Sequence, residues 1–198
     1  MPSPLRGVLP DRASGFLYLI FFAGKSRGNM GPCDAGSVII RVHVLAHAAE
    51  ILWVASLAMG APHLTTVERS YTGLICGLRR AKRDGLAPLH IFGADETVIT
   101  QLWMCRSPKR PHLSALYREA NSISSDVDVV SWAHHCRGYN QMATTAARLP
   151  WTRGNRIMGL TPTRVASAAR YMTVSIGTSP SSMNLRFVEE NTVQPVTR

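Results

Sequence analysis

The sequence predicts an α/β domain in which a mixed β-sheet is covered by helices, and three observations carry that expectation. The apolar run Phe16 to Phe22 (FLYLIFF) is followed by two segments rich in β-branched and aromatic residues, as strands of one sheet are. The apolar period then changes from strand-like to helical. Beyond that point, short strand and helix signals alternate as far as Leu149.

Residues 1–14 are Pro-rich and polar and read as a flexible leader. Residues 16–22 are apolar at every position, which fits a central strand buried on both faces. Gly24 to Gly36 holds four glycines and a proline and is expected to turn. Ser37 to Val44 and Ala48 to Leu57 follow as two more strands, completing an antiparallel meander. Val67, Tyr71, Leu74, Ile75 and Leu78 then mark one face of a helix that runs to about Arg83 and stops at Gly85. Leu89 to Phe92 is a short strand, and Asp95 is placed to cap a helix bearing Val98, Ile99 and Leu102. The stretch Arg106 to His112 (RSPKRPH) breaks that helix with two prolines and sets basic groups on a connector. Leu113 to Ile123 reads as a third helix, Val127 to Trp132 as a fifth strand, and Asn140 to Leu149 as a last short helix. The order is β-β-β-α-β-α-α-β-α, a five-stranded mixed sheet flanked by helices. Residues 15–151 form the expected domain; 152–198, rich in Ser, Thr, Pro and Arg, are expected to be a mostly disordered tail.

Charge is the unusual feature of the composition. The chain carries 22 Lys and Arg against 12 Asp and Glu, a net charge of +10. A basic surface suits a polyanion, because neutralised phosphates release condensed counterions. A basic surface with no such partner is the alternative. Cys33, Cys76, Cys105 and Cys136 are scattered singly without a C-x-x-C pair, which disfavours structural zinc and fits reduced thiols inside a cell. The run 16–22 is too short to cross a bilayer, which takes about 20 residues. It resembles the apolar part of a signal peptide, but Pro10 and Asp11 precede it. No membrane segment and no secretion are expected, whereas nucleus and cytoplasm are not distinguished; a monomer is expected.

Four motifs, taken with the element order, resemble ribonuclease H type 1, particularly the reverse-transcriptase-like form found in retroelements. Phe22-Ala23-Gly24-Lys25-Ser26-Arg27-Gly28-Asn29-Met30-Gly31-Pro32 is similar to that family's first strand and turn, F-D-G-x-S-R-G-N-P-G-P. Tyr71-Thr72-Gly73-Leu74 is similar to E-Y-x-G-L, and Ile91-Phe92-Gly93-Ala94-Asp95 to a strand ending in G-D-S. His134, Asn140 and Thr144 match H-x5-N-x3-D. The resemblance runs from Tyr18 to Leu149 and implies the ribonuclease H-like fold. It also implies metal-dependent endonucleolytic cleavage of the RNA strand of an RNA/DNA hybrid, with Mg²⁺ or Mn²⁺ as cofactor.

The departures bear on that activity. In the family, four carboxylates hold two Mg²⁺ ions, which generate the nucleophile and stabilise the leaving oxygen. The corresponding positions here are Ala23, Ser70, Ala94 and Thr144. Alanine offers no ligand, and neutral hydroxyls do not offset the repulsion between two hard dications. Glu68 stands two positions before Ser70, about 200° round the helix, and so points elsewhere. Asp95 faces away from the site if the strand continues, and is read first as a helix cap; Asp34 lies beyond the glycine turn in an unknown direction. No metal is expected in the chain as it stands, with Asp34 and Asp95 the weak metal candidates. His134 is a possible vestige of the family's proton-transfer histidine and otherwise a solvated loop residue; Asn140 is expected to shape the start of the last helix.

Nucleic-acid binding needs no acidic cluster. Lys25, Arg27 and Asn29 on the first turn are expected at a minor groove, where 2′-hydroxyls are read. Arg106, Lys109 and Arg110 on the connector, with His112, stand where some family members carry a basic protrusion that handles substrate. Arg79, Arg80, Lys82 and Arg83 read first as a solvated helix face. Three readings remain open: an inactive domain that binds RNA/DNA hybrid or another duplex, an active hybrid ribonuclease with relocated metal ligands, and an interaction module or relic that binds no nucleic acid.

Overall fold

The computed structural model describes residues 15–25, 33–43, 46, 48–59, 63–135, 140–146 and 158–160. The elements are β1 (Phe16–Lys25), β2 (Cys33–His43), β3 (Ala48–Met59), α1 (Thr66–Asp84), β4 (Leu89–Gly93), α2 (Glu96–Trp103), α3 (Pro111–Asp126), β5 (Val129–His134), α4 (Gln141–Ala146) and β6 (Met158–Leu160). The sheet order is β5-β4-β1-β2-β3-β6. Strands β1, β4 and β5 run parallel, whereas β2, β3 and β6 pair antiparallel with their neighbours. The predicted α/β architecture, with helices on both faces of a mixed sheet, is therefore the one observed.

Strand β1 lies at the centre, and its residues alternate between two cores. Ile20 and Phe22 face the larger core, built with Tyr71, Leu74 and Leu78 of α1, Val98 and Ile99 of α2, and Leu113 and Tyr117 of α3. Leu17, Leu19, Phe21 and Ala23 face the other side, where Met142, Ala143 and Ala146 of α4 pack on them. Burial on both faces is why this strand is apolar throughout, as expected for the middle of a sheet covered on both sides.

Local signals set the helix ends. Thr65 and Glu68 form a reciprocal capping box at the start of α1. At its end Gly85 takes φ +65°, with the Leu86 N–H donating to the Ala81 carbonyl and the Gly85 N–H to that of Lys82, a Schellman arrangement. Pro111 opens α3, where its missing N–H costs nothing.

Several boundaries differ from the sequence expectation. Gly24 and Gly36 belong to paired strands rather than to the turn, for the register continues through Ala23–Gly36 to Lys25–Asp34. Pro111 and His112, read as connector, form the first turn of α3. The fifth strand starts at Val129 because α3 continues to Asp126. Beyond the five expected strands, Met158–Leu160 adds a short sixth against Val54–Ser56, within the segment read as tail. Leader residues 1–14 and the rest of 152–198 lie outside the described residues.

Candidate functional site

The site forms where β1 and β4 end side by side, with Phe22 opposite Gly93 in parallel register. The Phe22 carbonyl organises it. That oxygen accepts the Ala94 N–H at 3.4 Å and the Asn140 side-chain amide Nδ2 at 2.7 Å. One acceptor thus ties the end of β1 to the exit from β4 and to the start of α4. Gly24 brings in α1: a Cβ there would collide with the Ser70 backbone N and hydroxyl. Gly73 does the same a turn later, since a Cβ would lie 2.8 Å from the Gly36 carbonyl oxygen. These two glycines allow the helix to lie directly on the β1–β2 hairpin. The elements carrying Ala23, Ser70, Ala94 and Thr144 are thereby drawn to one end of the sheet.

The chemistry at those four positions differs from what their placement suggests. The Ala23 methyl is buried in the α4-side core. Ser70 is 1% exposed, and its hydroxyl donates to Asp95 Oδ2 at 3.3 Å. Ala94 contributes a half-buried methyl. The Thr144 hydroxyl donates back to the Asn140 carbonyl at 2.8 Å, within its own helix. Ser70 and Ala94 line a shallow cleft of about 290 Å³ together with Gly24, Thr66, Asp95, Glu96 and His134.

Asp95 caps α2, as expected: Oδ1 accepts the N–H groups of Thr97 and Val98 at 3.1 and 3.3 Å. The strand ends at Gly93, so the alternation that would turn Asp95 away does not reach it. Its second oxygen instead faces Ser70 and lines the cleft. Glu68 is directed elsewhere, as expected, with Oε2 accepting from the Thr65 N–H and hydroxyl at 2.6 and 2.7 Å. Burial pushes its carboxyl up, but the two Thr65 hydrogen bonds and the nearby His112 and His63 outweigh it and hold the group below its ordinary pKa.

His134 is not a loop residue. It is the last residue of β5, exposed, paired with Gly93, and on the cleft wall. His135 turns the other way and packs on Phe92 with ring centroids 4.7 Å apart. Burial, and then the neighbouring His134, hold its pKa below the ordinary histidine value. Asn140 does begin α4 through its carbonyl, which accepts the Thr144 N–H. Its side chain does not cap the helix, however; it is fully buried and reaches Phe22. This long-range role leaves no local pattern in the sequence.

Among the expected nucleic-acid contacts, Lys25 ends β1 and is half-buried opposite Asp34. Arg27 and Asn29, like the side chain of Asp34, lie outside the described residues. Arg106, Lys109 and Arg110 are exposed on the connector between α2 and α3. Trp103 and Met104, 59% and 44% exposed, stand directly before them. Sequence reading missed this pair, because Trp103 stands four residues after Ile99, at the spacing of the buried α2 face. The α1 bases are engaged with acids: Arg79 with Glu119, Arg80 and Arg83 with Asp84, and Lys82 with Asp126. The connector, rather than α1, is the cationic surface without ion pairs of its own among the described residues.

A pair of Mg²⁺ or Mn²⁺ ions does not fit this donor set. Two methyls, a hydroxyl bound to Asp95 and a hydroxyl bound to a helix carbonyl leave no carboxylate at the four positions. Among the described residues, no three His, Cys, Asp or Glu side chains are grouped so as to hold a metal ion. None of the described helices is long and apolar enough to cross a membrane.

A family model described as reverse transcriptase-like matches residues 25–149. Two solved structures are similar at comparable levels. The RNase H1 of the halophilic archaeon Halobacterium salinarum is 26% identical, with a TM-score of 0.57 over 66% of this chain and 94% of its own. The N-terminal RNase H domain of rv2228c from Mycobacterium tuberculosis is 27% identical, with a TM-score of 0.57 over 66% of this chain and 93% of its own. An LC11-RNase H1 in complex with an RNA/DNA hybrid, 23% identical with a TM-score of 0.54 over 65% and 92%, shares the fold. No curated protein matches the sequence.

Proposed function

Because this chain belongs to the reverse transcriptase-like family, and its site is built without the carboxylates that family resemblance implies, we propose that it binds RNA/DNA hybrid, or a related duplex, without cutting it. The observation that carries this reading is the state of Ser70: buried, and donating to a carboxylate already used as a helix cap. A site that hands its central hydroxyl to a structural aspartate is arranged to hold α1 against α2, not to bind dications. With neutral groups at Ala23, Ser70, Ala94 and Thr144, the cleft keeps Asp95 and Glu96 but repels phosphate less than it would with four more carboxylates. The exposed Arg106, Lys109 and Arg110 provide charge, and Trp103 an aromatic face for a base or sugar. The hybrid held by LC11-RNase H1 supports the choice of ligand.

The test uses an end-labelled RNA/DNA hybrid with the full chain. In Mg²⁺ or Mn²⁺ the hybrid is expected to stay intact on a denaturing gel. In EDTA it is expected to bind with an affinity that falls steeply as salt rises. Metal-dependent cleavage lost on neutralising Asp95 and Asp34 would establish relocated ligands instead. Undetectable or salt-independent binding would favour an interaction module.

A further inference from the structure

The connector carries a second feature that the hybrid-binding reading does not use. Arg106-Ser107-Pro108-Lys109-Arg110 joins α2 to α3, and Ser107 is exposed between them. A residue before proline is confined to extended backbone, the form in which a substrate serine is presented to a kinase. Between Glu96 and Glu119 the sequence holds no carboxylate, while Arg106, Lys109, Arg110, His112 and Arg118 fall inside that interval. The Ser107 hydroxyl lies 3.4 Å from that of Ser114, in the first turn of α3. Arg110 is the N-cap of that helix and makes no side-chain cap bond, and the first turn contains no acidic residue.

We propose that Ser107 is a phosphorylation site for a proline-directed protein kinase that reads basic residues two and three positions downstream. The modification withdraws the connector from polyanions. In the transfer, the Ser107 Oγ attacks the γ-phosphorus of ATP and the Oγ–P bond forms. The bond from that phosphorus to the β–γ bridging oxygen breaks, ADP leaves, and the hydroxyl proton passes to the kinase's base. The product carries about two negative charges and three acceptor oxygens. Arg106, Lys109 and Arg110 are the adjacent donors in the sequence. Beside them, His112 Nε2 lies 3.9 Å from Glu68 Oε1. The three cations would be largely neutralised, so fewer counterions would be released on binding a nucleic acid. This second step rests on the hybrid-binding reading; the modification itself does not.

The experiment treats the full chain and its Ser107→Ala variant with ATP and a proline-directed kinase and maps the phosphate by mass spectrometry. Mapping is needed because Thr161-Pro162-Thr163-Arg164 repeats the Ser/Thr-Pro-x-basic spacing. The expected result is phosphate on Ser107, with a hybrid affinity at least about tenfold weaker and a salt slope smaller by about two. Heparin retention, a generic polyanion probe, should fall with it. No phosphate at Ser107 overturns the proposal, as does phosphate there with salt slope and heparin retention unchanged. If the unmodified chain binds no hybrid, the hybrid-binding reading fails. Mapping and heparin retention then decide the modification on their own.

Discussion

Asp95 separates a structural carboxylate from a metal ligand, and two substitutions tell them apart. Asp95→Ala removes the acceptor for the Thr97 and Val98 N–H groups at the start of an eight-residue helix. Loss of such a cap costs about 0.5–2 kcal/mol. It also strips the nearly buried Ser70 hydroxyl of its acceptor at 3.3 Å. That bond is long, and its loss adds about 1 kcal/mol. The sum is about 1.5–3 kcal/mol, or a fall in Tm of roughly 3–12 °C for a domain of this size. Asp95→Asn keeps an oxygen for the cap and turns its amide Nδ2 to Ser70, whose hydroxyl then accepts where it had donated. It loses only the charge near the helix N-terminus, worth about 0.3–1 kcal/mol. Circular dichroism melts in EDTA and in Mn²⁺ read both effects. The expected order is wild type, then Asn close behind, then Ala well below, with no change on adding Mn²⁺. A wild-type melt raised by Mn²⁺, with the gain lost in Asp95→Asn, would refute the structural assignment.

Three further outcomes follow from the same geometry. Asn140→Ala should cost about 1–2 kcal/mol in urea unfolding, because the Phe22 carbonyl keeps the Ala94 N–H; Asn140→Asp should cost more, since it sets a carboxylate against that oxygen. Burial holds the pKa values of His90 and His135 below the ordinary histidine value, opposed at His90 by Asp128 and aided at His135 by His134. The unfolded chain therefore takes up protons first as pH falls through about 6.5, so stability should be level above pH 7 and decline below about pH 6.5. A urea midpoint unchanged from pH 7.5 to 5.5 would contradict this, and His90→Gln should flatten the slope. Placing carboxylates at all four positions (A23D, S70E, A94D, T144D) should confer Mg²⁺-dependent hybrid cleavage on a gel, at a cost in stability; a folded quadruple variant that binds no Mg²⁺ would show that the scaffold has lost the arrangement.

Much of this was legible because it is local. The unbroken apolarity of 16–22 follows from a strand with a core on each face. The spacing Val67 to Leu78 and the stop at Gly85 follow from helix period and a left-handed terminus. Asp95 could be read as a cap because capping depends on position along the chain. What escaped is non-local. Asn140 precedes a helix, as a capping residue does, but a carbonyl 118 residues away competes for its amide and wins. The three residues of β6 carry too short a pattern to detect, and only the open edge of β3 makes them a strand.

The same distinction explains why the frame of this site stands apart from the side chains at its four positions. The contacts that assemble this end of the sheet are the Phe22 carbonyl hub, the glycine approaches at Gly24 and Gly73, and the Asp95 cap. None of them uses a side chain at Ala23, Ala94 or Thr144; the Ser70 hydroxyl adds one long bond to Asp95, which the cap does not need. The four positions can therefore change without dismantling the fold. Four carboxylates there would carry a burden, since without metal they would repel one another and raise the cost of the folded state. Backbone contacts that hold the strands and helices in register have no such freedom. A resemblance carried by motifs then reports reliably on architecture, while the residues at four positions decide what that architecture can do.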